Sequence, residues 1–316
     1  MPQASPITMR AETIGGLTRV AIAGLVWGTI PLVIRFADGA SVIKVFYRVL
    51  FAGLGIAAWM AATGRLGEIR ALSRRKLLQI AVQGVILTVN WVLFLMALDM
   101  TKVATAELLG YTGPVFVAAL APFVTKERFD ARVLVPLGLA LGGIVVILAP
   151  QGLSAASPRE LVGAAMAFAS AVTYATLLLR SKKLLTGVSG GALMLVEYAV
   201  ATALLLPFAV WMYSRGQGPH NPATYGWLLA LGLVHTAFAG VLFLGGLRRV
   251  RTDHAAILTY TEPASAVAFA ALFLGEALSA WTVAGGLMVV AGGLAVARLA
   301  PQDAEPLPIE ATGGVA

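Results

Sequence analysis

Two copies of one sequence block, residues 93–127 and 242–276, lie 149 residues apart in this chain. The tripeptide Leu-Phe-Leu opens both copies, a Tyr-Thr-x-Pro turn occurs at 111–114 and again at 260–263, and a glutamate closes each copy. Both copies lie among long apolar segments. The repeat therefore predicts a membrane protein built from two homologous halves.

The composition fits a chain that lies mostly in lipid. Apolar residues make up 59% of the sequence and charged residues 12%, and the mean hydropathy is +0.86. A membrane-spanning helix needs about 20 mostly apolar residues. Because the apolar runs are continuous rather than alternating, they predict helices and not barrel strands. Ten runs qualify, which we number helices 1 to 10: 17–36, 42–63, 76–97, 103–124, 132–149, 160–180, 190–213, 224–247, 255–275 and 280–299.

Several other classes of protein lack the residues they would need. The chain has no cysteine, and its three histidines, at 220, 235 and 254, are far apart in sequence, so no cluster predicts a metal centre. No His-Glu-x-x-His, Gly-x-Ser-x-Gly or nucleotide-binding loop occurs. We therefore expect no catalytic residue, no metal and no cofactor, and an intramembrane enzyme is the most distant alternative.

Basic residues lie mostly on one side of the predicted membrane. With a cytoplasmic N-terminus, 17 Lys and Arg residues fall in cytoplasmic segments and five fall outside, while Arg48 lies within helix 2. An excess of basic residues marks the cytoplasmic side. Both termini are thus predicted to be cytoplasmic, and the net charge of +8 requires no nucleic acid partner.

Corresponding loops of the two copies differ in charge. The loop between helices 8 and 9 carries three arginines within residues 248–251, whereas its counterpart between helices 3 and 4 carries Asp99 and Lys102. Five helices per copy is an odd number, so the second copy must cross the membrane in the opposite sense. The sequence predicts inverted repeats at 17–149 and 159–299, flanked by tails at 1–16 and 300–316 that read as disordered.

Several short motifs accompany the two Tyr-x-x-Pro turns. They are Trp27-Gly28-Thr29, Tyr47-Arg48, and the runs Glu127…Gly142-Gly143 and Glu276…Gly292-Gly293. With these motifs and ten helices in two inverted copies, the chain resembles the drug/metabolite transporter superfamily, and specifically its EamA branch, over residues 17–299. The resemblance implies a basket-shaped exporter of small metabolites, and within the superfamily the chain is most similar to YddG-type exporters of aromatic and other neutral amino acids. Relatives with similar motifs move threonine, homoserine, purines, sugars or drugs.

Polar and aromatic residues at membrane depth are the candidates for substrate binding. Tyr111 and Tyr260 occupy equivalent positions in the two copies, each three residues before a proline. Aromatic walls suit a bulky neutral side chain and attract its ammonium group by cation–π contact, while Gln83 and Asn90 could hydrogen-bond a carboxylate or an amine. The predicted binding residues are Trp27, Gln83, Asn90, Tyr111, Tyr174, His235 and Tyr260.

These residues also have structural interpretations, which the sequence leaves open. The aromatic rings could pack in the core, and the amides of Gln83 and Asn90 could tie helices together. His235 could be a proton carrier, a neutral binding residue or part of a structural hydrogen bond. Arg48, near the outer end of helix 2, would either snorkel to the surface or pair with a carboxylate at an extracellular gate.

Prolines and small residues predict where the helices bend and pack. Pro31, Pro114, Pro207 and Pro263 each interrupt a long apolar run and are candidate hinges. Helices 5 and 10 are almost wholly apolar, and helix 5 carries Gly138-x-x-x-Gly142 as a close-packing face. We expect these two helices on the outside, against lipid or a second subunit. The chain should then be a monomer, with a dimer through helices 5 and 10 as the alternative.

The predicted function is export of small metabolites across a bacterial inner membrane by alternating access. Aromatic and neutral amino acids are the first candidate substrates, and proton-driven export of drugs, purines or other metabolites is the alternative. Residues 17–36 contain no Asp or Glu, and Glu262, the acidic residue nearest the middle of the membrane, has Gly113 as its counterpart in the first copy. This favours a facilitator or a weakly coupled exporter.

Overall fold

The computed structural model describes residues 6–149, 157–274 and 279–299, and all regular structure in these ranges is helical. Ten helices are long and apolar enough to cross a membrane, which confirms the predicted fold class. Their bounds are Ala11–Arg35, Ser41–Ala62, Arg74–Met100, Thr105–Val124, Ala131–Leu148, Pro158–Leu184, Gly190–Ser214, Ala223–Leu247, Thr252–Phe273 and Ala280–Leu299.

Four of the ten helices change conformation near the middle of the span. Helices 1, 4 and 9 are broken by two-residue turns, and helix 8 contains a π-helical segment, a feature often found at functional sites. Helix 5 opens with a 3₁₀ turn, Ala131–Val133, before Leu134–Leu148, and a short helix, Gly67–Arg70, lies between helices 2 and 3. The segments of these four helices are Pro6–Trp27 and Ile30–Arg35 in helix 1, Val103–Gly110 and Gly113–Val124 in helix 4, Ala223–Gly232, Leu233–Phe238 and Ala239–Leu247 in helix 8, and Thr252–Leu258 and Thr261–Leu274 in helix 9.

Three of the four candidate hinge prolines lie where a broken helix starts again. Pro31 and Pro114 are in the first two positions of the restarted helix, where the missing backbone N–H would have no partner in any case. Pro263 is the third residue of the restarted part of helix 9. Helix 7, by contrast, runs from Gly190 to Ser214 through Pro207, so the prediction that Pro207 interrupts its helix is wrong. One proline removes a single hydrogen bond, and the adjacent turns of helix 7 keep theirs.

The helix pairing reflects the internal duplication. Helix 3 packs on helix 6 and helix 8 on helix 1, while helix 4 packs on helix 6 and helix 9 on helix 1. Helix 2 pairs with 7, helix 4 with 9, and helix 5 with 10. Exchanging each helix with the one five places later leaves this set of pairs unchanged, as two copies of one fold require. The inverted sense of the second copy and the cytoplasmic termini stay predictions.

Helices 5 and 10 lie at the edge and pack on each other through glycine. A Cβ atom on Gly143 would lie 2.5 Å from the carbonyl oxygen of Gly285, and one on Gly285 would lie 2.4 Å from that of Gly143. Gly138 has no neighbour within 4 Å, so half of the predicted Gly138-x-x-x-Gly142 face makes no close contact. The outer faces present exposed apolar residues such as Val135 and Leu287. The monomeric state, and the alternative dimer through these helices, stay predictions.

The predicted disordered N-terminal tail is wrong for residues 6–16, because helix 1 begins at Pro6. This extension packs on the loop after helix 8: a Cβ on Gly16 would lie 2.8 Å from Arg249 Cβ and 2.8 Å from Val250 Cγ1. Tertiary contact therefore fixes the end of this stretch at Gly16, although its polar and glycine content suggests disorder. Residues 1–5, 150–156 and the predicted tail at 300–316 lie outside the described residues.

Candidate substrate site

The breaks in helices 1 and 9 lie against each other. A Cβ on Gly28, at the break of helix 1, would lie 1.9 Å from Ser265 Oγ, and one on Gly24 would lie 2.0 Å from Thr261 Oγ1. A Cβ on Gly28 would also lie 2.9 Å from the backbone atoms Ala266 N and Glu262 O, so this glycine is required for the close approach, whereas at Gly24 the Thr261 hydroxyl would have to turn away. Broken helices that meet in this way surround the binding sites of many transporters.

Four partly accessible side chains lie in the interior of the protein near these breaks. Arg48, Tyr111, Tyr174 and Glu262 are surrounded by protein, yet each keeps part of its surface accessible. We call the space between these four side chains the candidate cavity. Helix 2 therefore contributes to the cavity through Arg48, in addition to helices 4, 6 and 9.

Trp27 and His235 form one hydrogen-bonded unit between helices 1 and 8. Trp27 donates from Nε1 to the backbone oxygen of His235 at 2.8 Å, and its ring lies 5.2 Å from that of Phe243. His235 Nε2 lies 2.8 Å from Thr29 Oγ1, and Nδ1 lies 3.2 Å from the oxygen of Ala230. His235 is buried whereas Trp27 is half-buried. His235 thus stabilises the π segment and the break in helix 1, and Trp27 is the member of this unit with accessible surface.

The two pseudo-equivalent tyrosines differ in environment. Tyr260 is fully buried, and its hydroxyl donates to the backbone oxygen of Tyr111 at 2.6 Å. It thereby joins the break of helix 9 to the break of helix 4, 6.2 Å from the Tyr111 ring. Tyr111 keeps accessible surface, as does Tyr174, whose hydroxyl lies 3.2 Å from Thr259 Oγ1. Tyr111 and Tyr174 line the cavity, while Tyr260 lies behind them.

Gln83 and Asn90 lie between helices 3 and 6, where their amide groups are already used. Gln83 donates to Leu177 O and Ser181 Oγ, each at 2.9 Å, and accepts from Arg180 Nε at 3.0 Å. Asn90 donates to Ser170 O at 2.7 Å and Thr173 Oγ1 at 2.9 Å. Gln83 is wholly buried and Asn90 nearly so. These contacts support the alternative in which both amides tie helices together.

Arg48 points into the protein and does not snorkel. Its Nε donates to Thr236 Oγ1 at 2.8 Å, and its guanidinium lies 4.4 Å from the centre of the Trp91 ring. Thr236 belongs to the π segment of helix 8 and donates in turn to Leu231 O at 2.9 Å. The widened π turn thus provides the hydroxyl that orients Arg48.

Glu262 is the second charged residue of the cavity. It lies in the first turn of the restarted part of helix 9, and its charge interacts with those of Arg48 and Glu107. Sequence inspection identifies both Arg48 and Glu262 as charges at membrane depth but gives no sign that they share one cavity. They lie 214 positions apart in the chain, and only the packing of helices 2 and 9 around helix 8 and helix 1 brings them together.

Loop contacts join the ends of different helices. Asp38, after helix 1, accepts from the N–H groups of His220 at 2.8 Å and Asn221 at 3.1 Å and from the Thr224 hydroxyl. The Thr224 hydroxyl, followed by the His220 N–H, lowers the pKa of Asp38 to about 2. At the other end, Glu127 accepts from Thr252 N at 3.0 Å and Thr252 Oγ1 at 2.7 Å. Its repeat equivalent, Glu276, lies outside the described residues.

A basic cavity of about 940 Å³ lies at the end of the molecule that contains Glu127. Its lining includes Lys126, Arg128, Lys183 and Arg249, and also Lys182, which donates to Leu247 O at 2.7 Å and Val250 O at 2.6 Å. Within the described ranges, no group of three or more His, Asp or Glu residues could hold a metal ion.

Ten membrane helices, four of them irregular, are typical of a multi-pass membrane transporter. A model of the EamA-like transporter family matches residues 14–149 and again residues 161–298. The chain belongs to this family, within the drug/metabolite transporter superfamily, and is not an enzyme. The two matches correspond to the two halves.

Individual relatives agree with this assignment. The chain is 28% identical to an uncharacterized transporter of Archaeoglobus fulgidus, over 88% of this chain and 94% of that protein. It is 26% identical to the uncharacterized inner membrane transporter YicL of Salmonella typhimurium, over 84% and 89% of the two chains. A solved crystal structure superposes with a TM-score of 0.76 at 20% identity, covering 92% of this chain and 98% of that one. The likeness to that structure shows the fold alone.

Proposed function

We propose that this transporter exports small metabolites from the cytoplasm across the inner membrane by alternating access, with aromatic and neutral amino acids as its first substrates. The observation that carries the proposal is the cavity at the helix breaks, where Trp27, Tyr111 and Tyr174 all keep accessible surface. Flat aromatic walls with two hydroxyls suit a substrate with a bulky apolar side chain and a polar end. YicL, the Salmonella relative, is named an inner membrane transporter, which supports this location.

The broken helices supply the moving parts. At each break the regular i→i−4 hydrogen bonds give way to i→i−3 bonds, such as Thr29 N to Val26 O and Tyr260 N to Ile257 O. Such points absorb the change in backbone angles when two repeats rock against each other. Pro31, Pro114 and Pro263 lie at these points and are the proposed hinges. Pro207 has no such position.

Flux of radiolabelled amino acids in proteoliposomes, measured without an imposed ion gradient, tests the proposal. We expect tryptophan, phenylalanine, threonine or methionine to equilibrate across the membrane at a rate that saturates with concentration, and empty liposomes to show only slow leakage. Absence of flux across the whole panel, with and without a pH gradient, would refute amino acid transport. The same vesicles would then be loaded with purines, sugars and cationic drugs.

A specific observation favours the second candidate, proton-driven export of drugs, purines or other metabolites. Glu262 provides a carboxyl group inside the cavity, and a carboxyl that binds proton and substrate alternately is the basis of antiport. A pH step alone would then drive uphill movement of substrate, and a Glu262→Gln variant would retain downhill exchange but lose the uphill phase.

A further inference from the structure

The cavity contains a cation and an anion that are not paired with each other. Arg48 of helix 2 is bonded to Thr236 of helix 8 at 2.8 Å, and the backbone oxygen of Glu262 of helix 9 lies 2.9 Å from the Cβ position of Gly28 in helix 1. The hydrogen bond from Trp27 to His235 O joins helices 1 and 8 between them, and the two charges interact electrostatically. Among the described residues, however, no ion pair within 4.0 Å involves either of them. A charge within a membrane protein is costly unless it is paired, so two opposite charges held apart need a physical reason.

Arg48 is oriented but not neutralised. One of its five N–H donors is used by Thr236, and Trp91 supports the flat face of the guanidinium. Within the described part of the chain, no acceptor is hydrogen-bonded to the two Nη groups. A guanidinium held in this way presents a planar pair of donors, the geometry that matches a carboxylate bidentately.

Glu262 is likewise available. No described side chain donates a hydrogen bond to its carboxylate, whereas its backbone N–H is bonded to Thr259 O at 2.9 Å and its backbone oxygen accepts from Ser265. The backbone is therefore fixed, while the charge of the carboxylate acts on Tyr111 and Tyr174. An ammonium group, with three donors and no acceptor, is the complementary ligand.

We propose that Arg48 and Glu262 form a binding site for the zwitterionic head of an α-amino acid. Arg48 Nη groups bind the carboxylate, Glu262 binds the ammonium, and the substrate side chain packs on Trp27, Tyr111 and Tyr174. The substrate then completes the ion pairing that the protein lacks. This inference rests on the proposed function and adds to it that both charges of the substrate are recognised.

Binding of three phenyl compounds to the purified protein in lipid nanodiscs tests the inference by calorimetry. Phenylalanine carries both charges, 2-phenylethylamine lacks the carboxylate, and 3-phenylpropionate lacks the ammonium. Because each charged group of the substrate forms its own charge-assisted hydrogen bonds, we expect phenylalanine to bind roughly 10- to 100-fold more tightly than either other compound, a difference of about 1.4–2.8 kcal/mol. Equal affinity for the three compounds, or no binding of phenylalanine, would overturn the zwitterion site.

Two variants test which residue binds the carboxylate of the substrate and which binds its ammonium. Arg48→Gln should weaken phenylalanine and 3-phenylpropionate by at least tenfold and leave 2-phenylethylamine within about twofold, whereas Glu262→Gln should weaken phenylalanine and 2-phenylethylamine only. Arg215→Gln is the matched control, because Arg215 is exposed and lies 5.5 Å from the Trp211 ring. Asp99→Asn is the matched control for Glu262→Gln, because Asp99 is exposed. Both controls should leave all three affinities unchanged.

The pattern also separates a structural role from a binding role. Equal weakening of all three compounds by a variant would mean that the residue supports the fold and does not bind substrate. If Arg48→Gln does not fold, Arg48→Lys keeps the cation but loses the planar pair of donors, and the comparison of compounds in the wild type stands without any variant. Flux of uncharged metabolites in proteoliposomes, together with unselective binding here, would keep the transport function and remove the zwitterion site.

Discussion

Replacing Gly143 by alanine should destabilise the protein, whereas the same change at Gly138, also on helix 5, should not. A Cβ at 143 would lie 2.5 Å from Gly285 O, 2.9 Å from Val289 Cγ2 and 3.0 Å from Val289 N. To reach an ordinary contact of 3.4 Å, helices 5 and 10 must separate by roughly 0.9 Å. Overpacking of this kind costs about 1–3 kcal/mol, and the better helix propensity of alanine recovers only about 0.5–1 kcal/mol.

Gly138 is the matched control because nothing lies within 4 Å of its Cβ position. Here the propensity gain acts alone, so Gly138→Ala should be neutral or stabilising by up to about 1 kcal/mol. Thermal unfolding in detergent, followed by tryptophan fluorescence, measures both variants against the wild type. A Gly138→Ala protein less stable than Gly143→Ala would refute the packing of helices 5 and 10 described here.

Four further outcomes follow from the contacts. Gln83→Leu should lower the free energy of unfolding by about 1–3 kcal/mol, because it leaves buried partners on helix 6 unpaired, and should leave KM for transport unchanged; a raised KM with normal stability would return Gln83 to the substrate site. Tyr260→Phe removes the buried hydrogen bond to Tyr111 O and should cost about 1–2 kcal/mol, measured by thermal unfolding, while Tyr225→Phe at an exposed hydroxyl should cost less. Pro263→Ala should slow the initial rate of transport more than it lowers the yield of folded protein, because it restores a backbone N–H at the proposed hinge; an unchanged rate at normal expression would contradict this. Asp38 has a lowered pKa, so its contribution to stability is present above its unfolded pKa of 3.8 and is lost as the pH falls towards about 2. The difference in Tm between wild type and Asp38→Asn should therefore shrink across that pH window. A constant difference in Tm would contradict the contacts of Asp38.

The extent of the membrane helices follows from local composition, and sequence inspection finds all ten. An apolar run of about 20 residues has few alternatives in lipid, because the backbone must satisfy its own hydrogen bonds there. The breaks at Pro31, Pro114 and Pro263 are equally local, since a proline lacks the N–H that would continue the ladder. Pro207 shows the limit of that rule, because the same residue type leaves helix 7 continuous.

The internal repeat identifies Tyr111 and Tyr260 as equivalents but does not predict that they differ. Their surroundings come from helices that are themselves no longer alike: Tyr111 faces a cavity with Glu262, and the position equivalent to Glu262 is Gly113. Gln83, Asn90 and His235 show the same ambiguity. A polar group in a membrane helix must find a partner, and sequence spacing does not distinguish a neighbouring helix from a substrate.

The sequence alone determined that this chain is a ten-helix membrane protein made of two related halves with an EamA-type motif in each, because those properties depend on residues close together along the chain. Only the tertiary structure decided which polar residues face the cavity. Arg48 and Glu262 are brought into one cavity by the packing of helices 2, 8, 1 and 9, and the order of that packing depends on close approaches such as Gly28 on Ser265. Those approaches involve distant residues whose complementarity appears only when both surfaces are in place.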